Sequence, residues 1–421
     1  MDERTKRWPT KPIKYIASII QGSTPDSTNE DYWAEDESSL IWVTPADMQT
    51  TGDISSSLRH ISRKGYHSCG TQLVPQGSTV ISTRAPIGKV NYSTAELCTN
   101  QGCKSLVTKA MDCRYLYWAA INAEPQMELC GRGTTFMELS AYDLGHIAIP
   151  VPPKCEQAAI ATILDEYCTN IDETISTLDS QVTLLTRYRS SVIHEAVTHG
   201  LDPSVPTKNS GVDWIGDIPA SWGVKRLKYL FDTSSGSTPD SSDWSLYDGN
   251  INWIQSGDLY GVSNVERTAR KVTEKALRES TALKVYESPF VVMAMYGASV
   301  GNVAVSEIDA CTNQACCVML PHEGMTPKFL FYVLLDSQTP LKQKALGGTQ
   351  PNISQVIIRN HKIPVPPIST QSEITDYLDA RTAAIDAVLD TKRKQLDILN
   401  RRRQSLIYEY VTGKRRVTEE A

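Results

Sequence analysis

The sequence predicts an α+β fold in which one unit, a mixed α/β domain followed by a long helix, occurs twice. Three observations predict it. Ile149-Pro150-Val151-Pro152-Pro153 returns 214 residues on as Ile363-Pro364-Val365-Pro366-Pro367. Each copy runs into a segment without Gly or Pro, roughly Glu156–Thr198 and Thr370–Thr412, long enough at ~1.5 Å per residue for a helix of ~60 Å. Acidic residues crowd the first half of each segment (Asp165, Glu166, Asp172, Glu173; Asp376, Asp379, Asp386) and basic residues the second (Arg187, Arg189; Lys392, Arg393, Lys394, Arg401, Arg402, Arg403). Antiparallel packing of the two copies would set acid against base at both ends, so the expected architecture is two similar α/β domains joined by two long antiparallel coiled-coil helices with a pseudo-two-fold internal repeat. A charge gradient following each helix's own macrodipole accounts for the same asymmetry.

The prolines stop the chain before each helix by removing donors and pushing the preceding residue out of helical geometry. Apolar residues then recur three and four apart: Leu164, Tyr167, Ile171, Ile175, Leu178, Val182, Leu185, Val192 and Ala196 in the first copy. Leu378, Ile385, Leu389, Leu396, Leu399, Leu406 and Tyr410 follow in the second. This is a narrow seam of the kind two helices bury against each other, interrupted at matching positions by Arg189 and Arg403.

The repeat begins near the N-terminus, where Trp8 answers to Trp222 and Gly22-Ser23-Thr24-Pro25-Asp26 to Gly236-Ser237-Thr238-Pro239-Asp240. Trp42 and Asp47 match Trp253 and Asp258, and Cys98-Thr99-Asn100-Gln101 is repeated as Cys311-Thr312-Asn313-Gln314. Short apolar and β-branched runs (Leu40–Val43, Thr79–Ser82, Lys104–Thr108; Val291–Ala294, Val318–Leu320) between turn residues read as strands, and Arg114–Ile121 and Pro327–Leu335 as helices. The expected boundaries are a first domain at 1–153, a helix at 154–199, an exposed linker at 200–213, a second domain at 214–367 and a helix at 368–416.

At 421 residues the chain exceeds one compact core. No apolar run approaches the ~18 residues of a membrane span, and the first residues lack the apolar stretch of a signal peptide. A cytoplasmic location with reduced thiols is therefore expected for the ten cysteines. The pairs Cys98/Cys103 and Cys311/Cys316 invite a zinc reading, but no Cys-x-x-Cys occurs and no histidine has ligand spacing nearby, so buried strand cysteines are expected. The net charge of −6 does not favour a free-standing nucleic-acid binder. Its distribution is uneven. Residues 59–109 hold seven basic residues against Glu96 alone, and Arg267, Arg270, Lys271, Lys275 and Arg278 fall at helical spacing. Either cluster could equally be a solvated surface.

These residues resemble the specificity (S) subunit of type I restriction-modification systems. The carriers are the Gly-Ser-Thr-Pro turn in both halves, the Thr-Asn-Gln before a strand, Gly-Gly-Thr-Gln-Pro-Asn-Ile-Ser at 347–354, Ile-Pro-Val-Pro-Pro before a long helix with Gln, and the connector from Trp214 to Trp222. The match spans nearly the whole chain. It departs at Gly131–Phe136, which lacks the Gln-Pro-Asn of the second half. The resemblance implies two target-recognition domains, each reading one half of an asymmetric bipartite site in double-stranded DNA. It implies helices that space the domains and dock two methylase (M) subunits, motor-nuclease (R) subunits completing the complex, and no chemistry, cofactor or metal in this chain.

Base-reading candidates are sought where the halves differ: Arg84, Lys89 and Arg132 in the first domain, and Tyr296, Asn302, Gln350 and Asn352 in the second. Arg pairs bidentately with guanine, and Asn or Gln with adenine. Ser23, Thr24, Ser237 and Thr238 are candidate phosphate contacts or simply capped turns. Asn100-Gln101 and Asn313-Gln314, unchanged between halves, are expected to hold a shared turn.

Enzyme readings find little support. The only Pro-Pro pairs lie at 152–153 and 366–367, outside the Asn/Asp-Pro-Pro-aromatic context of an amino-methyltransferase, and no Gly-x-x-x-x-Gly-Lys loop is present. Pro25-Asp26 and Pro239-Asp240 are sufficiently explained as turns. The rival is a coiled-coil adaptor that joins proteins without touching DNA.

Overall fold

A computed structural model describes residues 8–34, 39–132, 137–322, 324–344 and 352–417. The chain divides into two compact units, Met1–Asp179 with Lys394–Ala421, and Ser180–Arg393. The division falls inside both long helices, Lys154–His199 and Ile368–Thr412, so each helix contributes to both units.

In the first unit a five-stranded sheet has the order Ala17–Gln21, Cys103–Thr108, Thr79–Ser82, Val90–Ser93, Thr51–Ile54. In the second the order is Phe231–Ser235, Cys316–Pro321, Phe290–Ala294, Val303–Ser306, Asn264–Val265. Each strand has its repeat counterpart, and in both sheets only the last pairing is parallel. One face is covered by a helix, Cys113–Asn122 or Pro327–Asp336, whose first turn is capped by Asp112 or Thr326. The Ile-Pro of the repeated motif closes each domain. Ala148–Pro150 pairs antiparallel with Thr10–Pro12, and Lys362–Val365 with Gly223–Arg226, just before the helix begins.

The glutamine shared by both helices explains how helix and domain are joined. Gln157, almost fully buried, accepts from the Asp112 amide at 2.8 Å and donates to the Pro152 carbonyl at 2.8 Å. Gln371 likewise accepts from the Thr326 amide and donates to the Pro366 carbonyl, both at 3.0 Å. A buried amide satisfied at both ends fixes the helix entry, whereas a truncated one would leave backbone groups unpaired. About two turns further, Asp165 accepts from Arg114 and Trp118 Nε1, each at 2.8 Å. Its counterpart Asp379 pairs with Lys328 and accepts from the Tyr332 hydroxyl.

The helix segments run antiparallel. In the second unit Gln181 meets Lys392, whereas Tyr188 and Arg189, further along the first helix, meet Arg381 and Asp386, earlier on the second. The arginines that interrupt the seam are the reason for its charge pattern. Arg189 Nε and Nη2 donate to Asp386 at 2.8 and 3.1 Å. In the first unit Arg403 makes the equivalent pair with Asp172, at 2.8 Å, and also donates to the Thr51 hydroxyl at 2.7 Å. In the first unit Leu164, Ile171, Leu406 and Tyr410 bury into one core with Tyr115–Ala120. In the second, Ala196 and Leu378 do the same with Phe329–Leu334. Tyr167 departs from the expected seam: it is 43% exposed, and Cys168 fills the position instead.

Two further expectations are corrected. The basic residues from Arg267 to Arg278 do not lie along one helix. Arg270–Val272 is a strand paired with Tyr247–Ile254, and the helix is confined to Glu274–Glu279, where Lys275 and Arg278 make ion pairs with Asp243, Glu279 and Glu274. The segment expected as a plain linker contains a strand, Thr207–Asn209, paired antiparallel with Asp217–Pro219. The cysteines of the repeated pairs lie buried on strands, where desolvation pushes Cys98, Cys103, Cys311 and Cys316 up to about 12.

His361, in the second unit, stacks on Trp214 with ring centroids 5.2 Å apart and 13° between planes. It is 2% exposed and neither ring nitrogen has a partner among the described residues. Burial, with Lys344 nearby, lowers its pKa to about 4. The unfolded chain binds the proton near 6.5, so the stability owed to the neutral ring is complete above that pH and is lost as pH falls toward 4. The loss reaches about 3 kcal/mol. We expect His361→Phe to lack this component, so the gap in unfolding free energy between wild type and variant should move by that amount between pH 7 and pH 4 in denaturant titrations.

Candidate nucleic-acid interface

The repeated Gly-Ser-Thr-Pro-Asp turn is a structural joint in both units. Gly22 and Gly236 pass so close to the opposite strand that a Cβ would lie 2.2 Å from the Thr99 carbonyl oxygen and 1.7 Å from that of Thr312. Glycine is required there for room. The next residue uses its backbone: the Ser23 and Ser237 amides each donate at 3.0 Å to those same carbonyls. Their own carbonyls accept from Trp42 Nε1 at 3.0 Å and Trp253 Nε1 at 3.2 Å. The Thr24 hydroxyl donates to Gln101 Oε1 and that of Thr238 to Gln314 Oε1. Pro25 and Pro239 are buried, and Asp26 and Asp240 cap the following turn, with hydrogen bonds from Thr28 and Ser242 lowering their pKa values. Asn100 and Asn313 hold their own turns by accepting from the Gly102 and Ala315 amides. Each letter of the shared motifs thus has a structural task, carried out identically twice.

The diverged residues sit on this common frame. Arg84 is exposed; its Nε donates to Glu138 Oε2 at 3.1 Å and Nη2 lies 3.0 Å from the same oxygen. Arg132, 82% exposed in its side chain, reaches Asp143 at 3.3 Å, and its backbone pairs with that of Glu138. Tyr296 is 40% exposed and its backbone pairs with Asn352. Asn352 is half-buried, and its side-chain oxygen has no donor among the described residues. Lys89 donates to the Pro45 and Met48 carbonyls, both at 2.8 Å, so a base contact would require it to release both. Asn302 is half-buried in a turn whose backbone it closes, accepting from the Ala294 amide at 2.8 Å. Gln350 lies outside the described residues, as do 133–136 and 345–351 of the two glycine-rich loops.

Arg84 and Tyr296 occupy the same place in the two frames. The Thr83 amide donates to the Gly102 carbonyl and the Leu139 amide to the Thr83 carbonyl; the Met295 amide donates to Ala315 and the Ile353 amide to Met295. The residue after Thr83 or Met295 then bridges to Glu138 or Asn352.

The model of the type I restriction modification DNA specificity domain matches the chain twice, over residues 5–184 and 219–397. The chain belongs to this family. It is 25% identical to the type I restriction enzyme MjaIX specificity subunit of Methanocaldococcus jannaschii, over 98% of this chain and 95% of that one. It is 24% identical to the MjaVIII specificity subunit of the same organism, over 73% and 72% respectively. A solved structure described as the structural basis of complex assembly and conformational transition of the type I R-M system superposes with a TM-score of 0.69 at 16% identity, covering 97% of this chain and 98% of the other. The family relation accounts for the two-fold domain repeat and the paired long helices. Among the described residues, no helix of this specificity subunit is long and apolar enough to cross a membrane.

Sequence reasoning passed over Glu138 as a neighbour of the candidate Arg84 and read Lys104 only as one of the basic residues at 59–109. Glu138, joined to Arg84, stands opposite Asn352 in the repeat, and Lys104 stands opposite Cys317 on otherwise matching strands. The signal was a difference between the halves. A search for cations and amides that differ between the halves passes over a glutamate, and Lys104 opens an apolar-looking run.

Proposed function

We propose that this chain binds double-stranded DNA at an asymmetric bipartite site, each domain reading one half, and that it docks two methylase subunits and motor-nuclease subunits in the cytoplasm while supplying no chemistry of its own. The observation that carries the reading is the contrast within the repeat. The hydrogen bonds of the turn and of the strand that carries the bridge recur in both copies, while Arg84 in one copy is answered by Tyr296 in the other. Two copies of one frame with different exposed side chains suit two half-sites of different sequence, since phosphate contacts position a protein and base contacts specify. Named relatives of this chain are specificity subunits, which supports the assignment.

The test is a shift assay with long duplex DNA, using the full chain with and without a co-expressed methylase subunit, followed by incubation with a labelled methyl donor. Expected are a shifted complex and no methyl transfer by the chain alone. Absence of any shift in either condition would favour the adaptor reading, and stoichiometric methyl transfer by the isolated chain would overturn the non-catalytic assignment.

A further inference from the structure

We propose that Glu138 is a specificity-determining residue of the first domain. In this proposal it fixes the guanidinium of Arg84 for one base, and Lys104, Arg84 and Glu138 form a charged triad whose place in the second domain is taken by Cys317, Tyr296 and Asn352. The inference rests on the DNA-reading function proposed above and adds to it the residue that positions the reader.

Glu138 sits at the centre of the triad. Its Oε2 receives Arg84, and its Oε1 lies 3.8 Å from Lys104 Nζ. Lys104 comes from inside the sheet. Its side chain is 4% exposed, and its ammonium donates to the Thr83 hydroxyl at 3.1 Å and the Leu139 carbonyl at 2.8 Å, the residues next to Arg84 and Glu138. Desolvation lowers the Lys104 pKa while the Glu138 carboxylate opposes that. A charged amine is seldom buried under a sheet unless it is paired and hydrogen-bonded. The second domain folds the same frame without it.

The backbone also holds Glu138 from both sides. It bridges Arg84 on one side, while on the other its amide and carbonyl exchange hydrogen bonds with those of Arg132 at 2.9 and 3.1 Å. A carboxylate so placed orients the guanidinium plane through Nε and one edge of Nη2, leaving the remaining N–H groups of an exposed arginine for a partner. Guanine takes two such donors at O6 and N7. The neutral set in the second domain cannot make that pairing, while Asn352 presents an amide of the kind that pairs with adenine. The three positions differ together while the backbone bonds that carry them, Thr83 to Gly102 and Leu139 to Thr83 in one domain, Met295 to Ala315 and Ile353 to Met295 in the other, are the same, so the common frame does not depend on the triad.

The experiment is selection of bound sequences from random duplexes by the full chain, co-expressed with a methylase subunit, as wild type, Glu138→Gln, and the triple variant Arg84→Tyr/Lys104→Cys/Glu138→Asn. Glu138→Gln keeps size and backbone pairing but removes the charge that holds Arg84, leaving a neutral acceptor and a weaker hydrogen bond. Expected is a loss of discrimination on the order of ten-fold or more at one position of one half-site, with the other half-site unchanged. The triple variant should adopt, at that position, the preference shown at the matching position of the other half-site. Unaltered selection by Glu138→Gln, or uniform weakening over all sequences, overturns the proposal while leaving the DNA-reading function standing. Wild-type chain that selects no sequence defeats both. The second half-site, read in the same molecule, reports whether the remainder of the chain is folded. Loss of the whole first half-site in both variants would make the triad a folding element and likewise overturn the proposal.

Discussion

Grafting residues 1–179 together with 394–421 from another specificity subunit is expected to replace one half-site completely and leave the other as it was. The design follows from the cores. Leu406, Ile407, Tyr410 and Val411, at the far end of the sequence, bury into the same cluster as Tyr115–Ala120 and Ile149. The Tyr115 hydroxyl is within hydrogen-bond reach of both the Pro150 and Val411 carbonyls, at 3.2 and 3.3 Å. Arg114 meets Asp165, and Arg403 meets Thr51, inside the same unit. Exchanging 1–153 alone would lay a foreign surface against these residues, and each large side chain left beside a cavity costs about 2–5 kcal/mol. We therefore expect the 1–153 exchange to melt earlier than the whole-unit exchange in thermal unfolding, and the whole-unit exchange alone to redirect the site. Methylome sequencing of a host expressing the system with each chimera reads the result. If both half-sites change together, or neither does, the units are not independent readers.

The repeat, the two long helices and their antiparallel sense were legible because their causes are local or periodic. Prolines stop a chain wherever they stand, and a seam three and four apart needs no knowledge of the rest of the fold. The charge asymmetry was legible for a different reason: Asp172 and Arg403, like Asp386 and Arg189, are the same two positions used twice. Residues 267–278 misled because helical spacing competed with a tertiary partner. Val272 is fully buried where its strand meets Tyr247–Ile254, and that burial outweighs the spacing of the charges around it. The strand Thr207–Asn209 was invisible because all three residues are exposed and it is supported by a hairpin partner eight to twelve residues on rather than by an apolar core. For the site, divergence between halves pointed to Arg84, Tyr296 and Asn352. It could not reveal that Glu138 meets Arg84, because that contact depends on a bridge between segments 54 residues apart.

Lengthening both long helices by four residues, one insertion between Asp179 and Ser180 and the other between Arg393 and Lys394, is expected to move methylation to a site with the same two half-sequences and a longer gap. The division between the units falls at these two points, and both helices are continuous across it. Arg189–Asp386 and Lys392–Gln181 lie within one unit, and Arg403–Asp172 within the other, so a matched insertion leaves each of these pairs in register. An insertion near Thr177 alone lengthens one connection and not the other, which makes it the poorer test. Four residues add ~6 Å of helix and close to a whole turn. They also approximate half a heptad, so the seam stutters without being lost. At ~3.4 Å per base pair the added length corresponds to about one or two base pairs of unspecified gap. The control insertion belongs at 201–205, an exposed stretch ahead of the Thr207–Asn209 strand, and should leave the gap unchanged. Active complex that keeps the original spacing after the matched insertion would show that the helices do not measure the distance between half-sites.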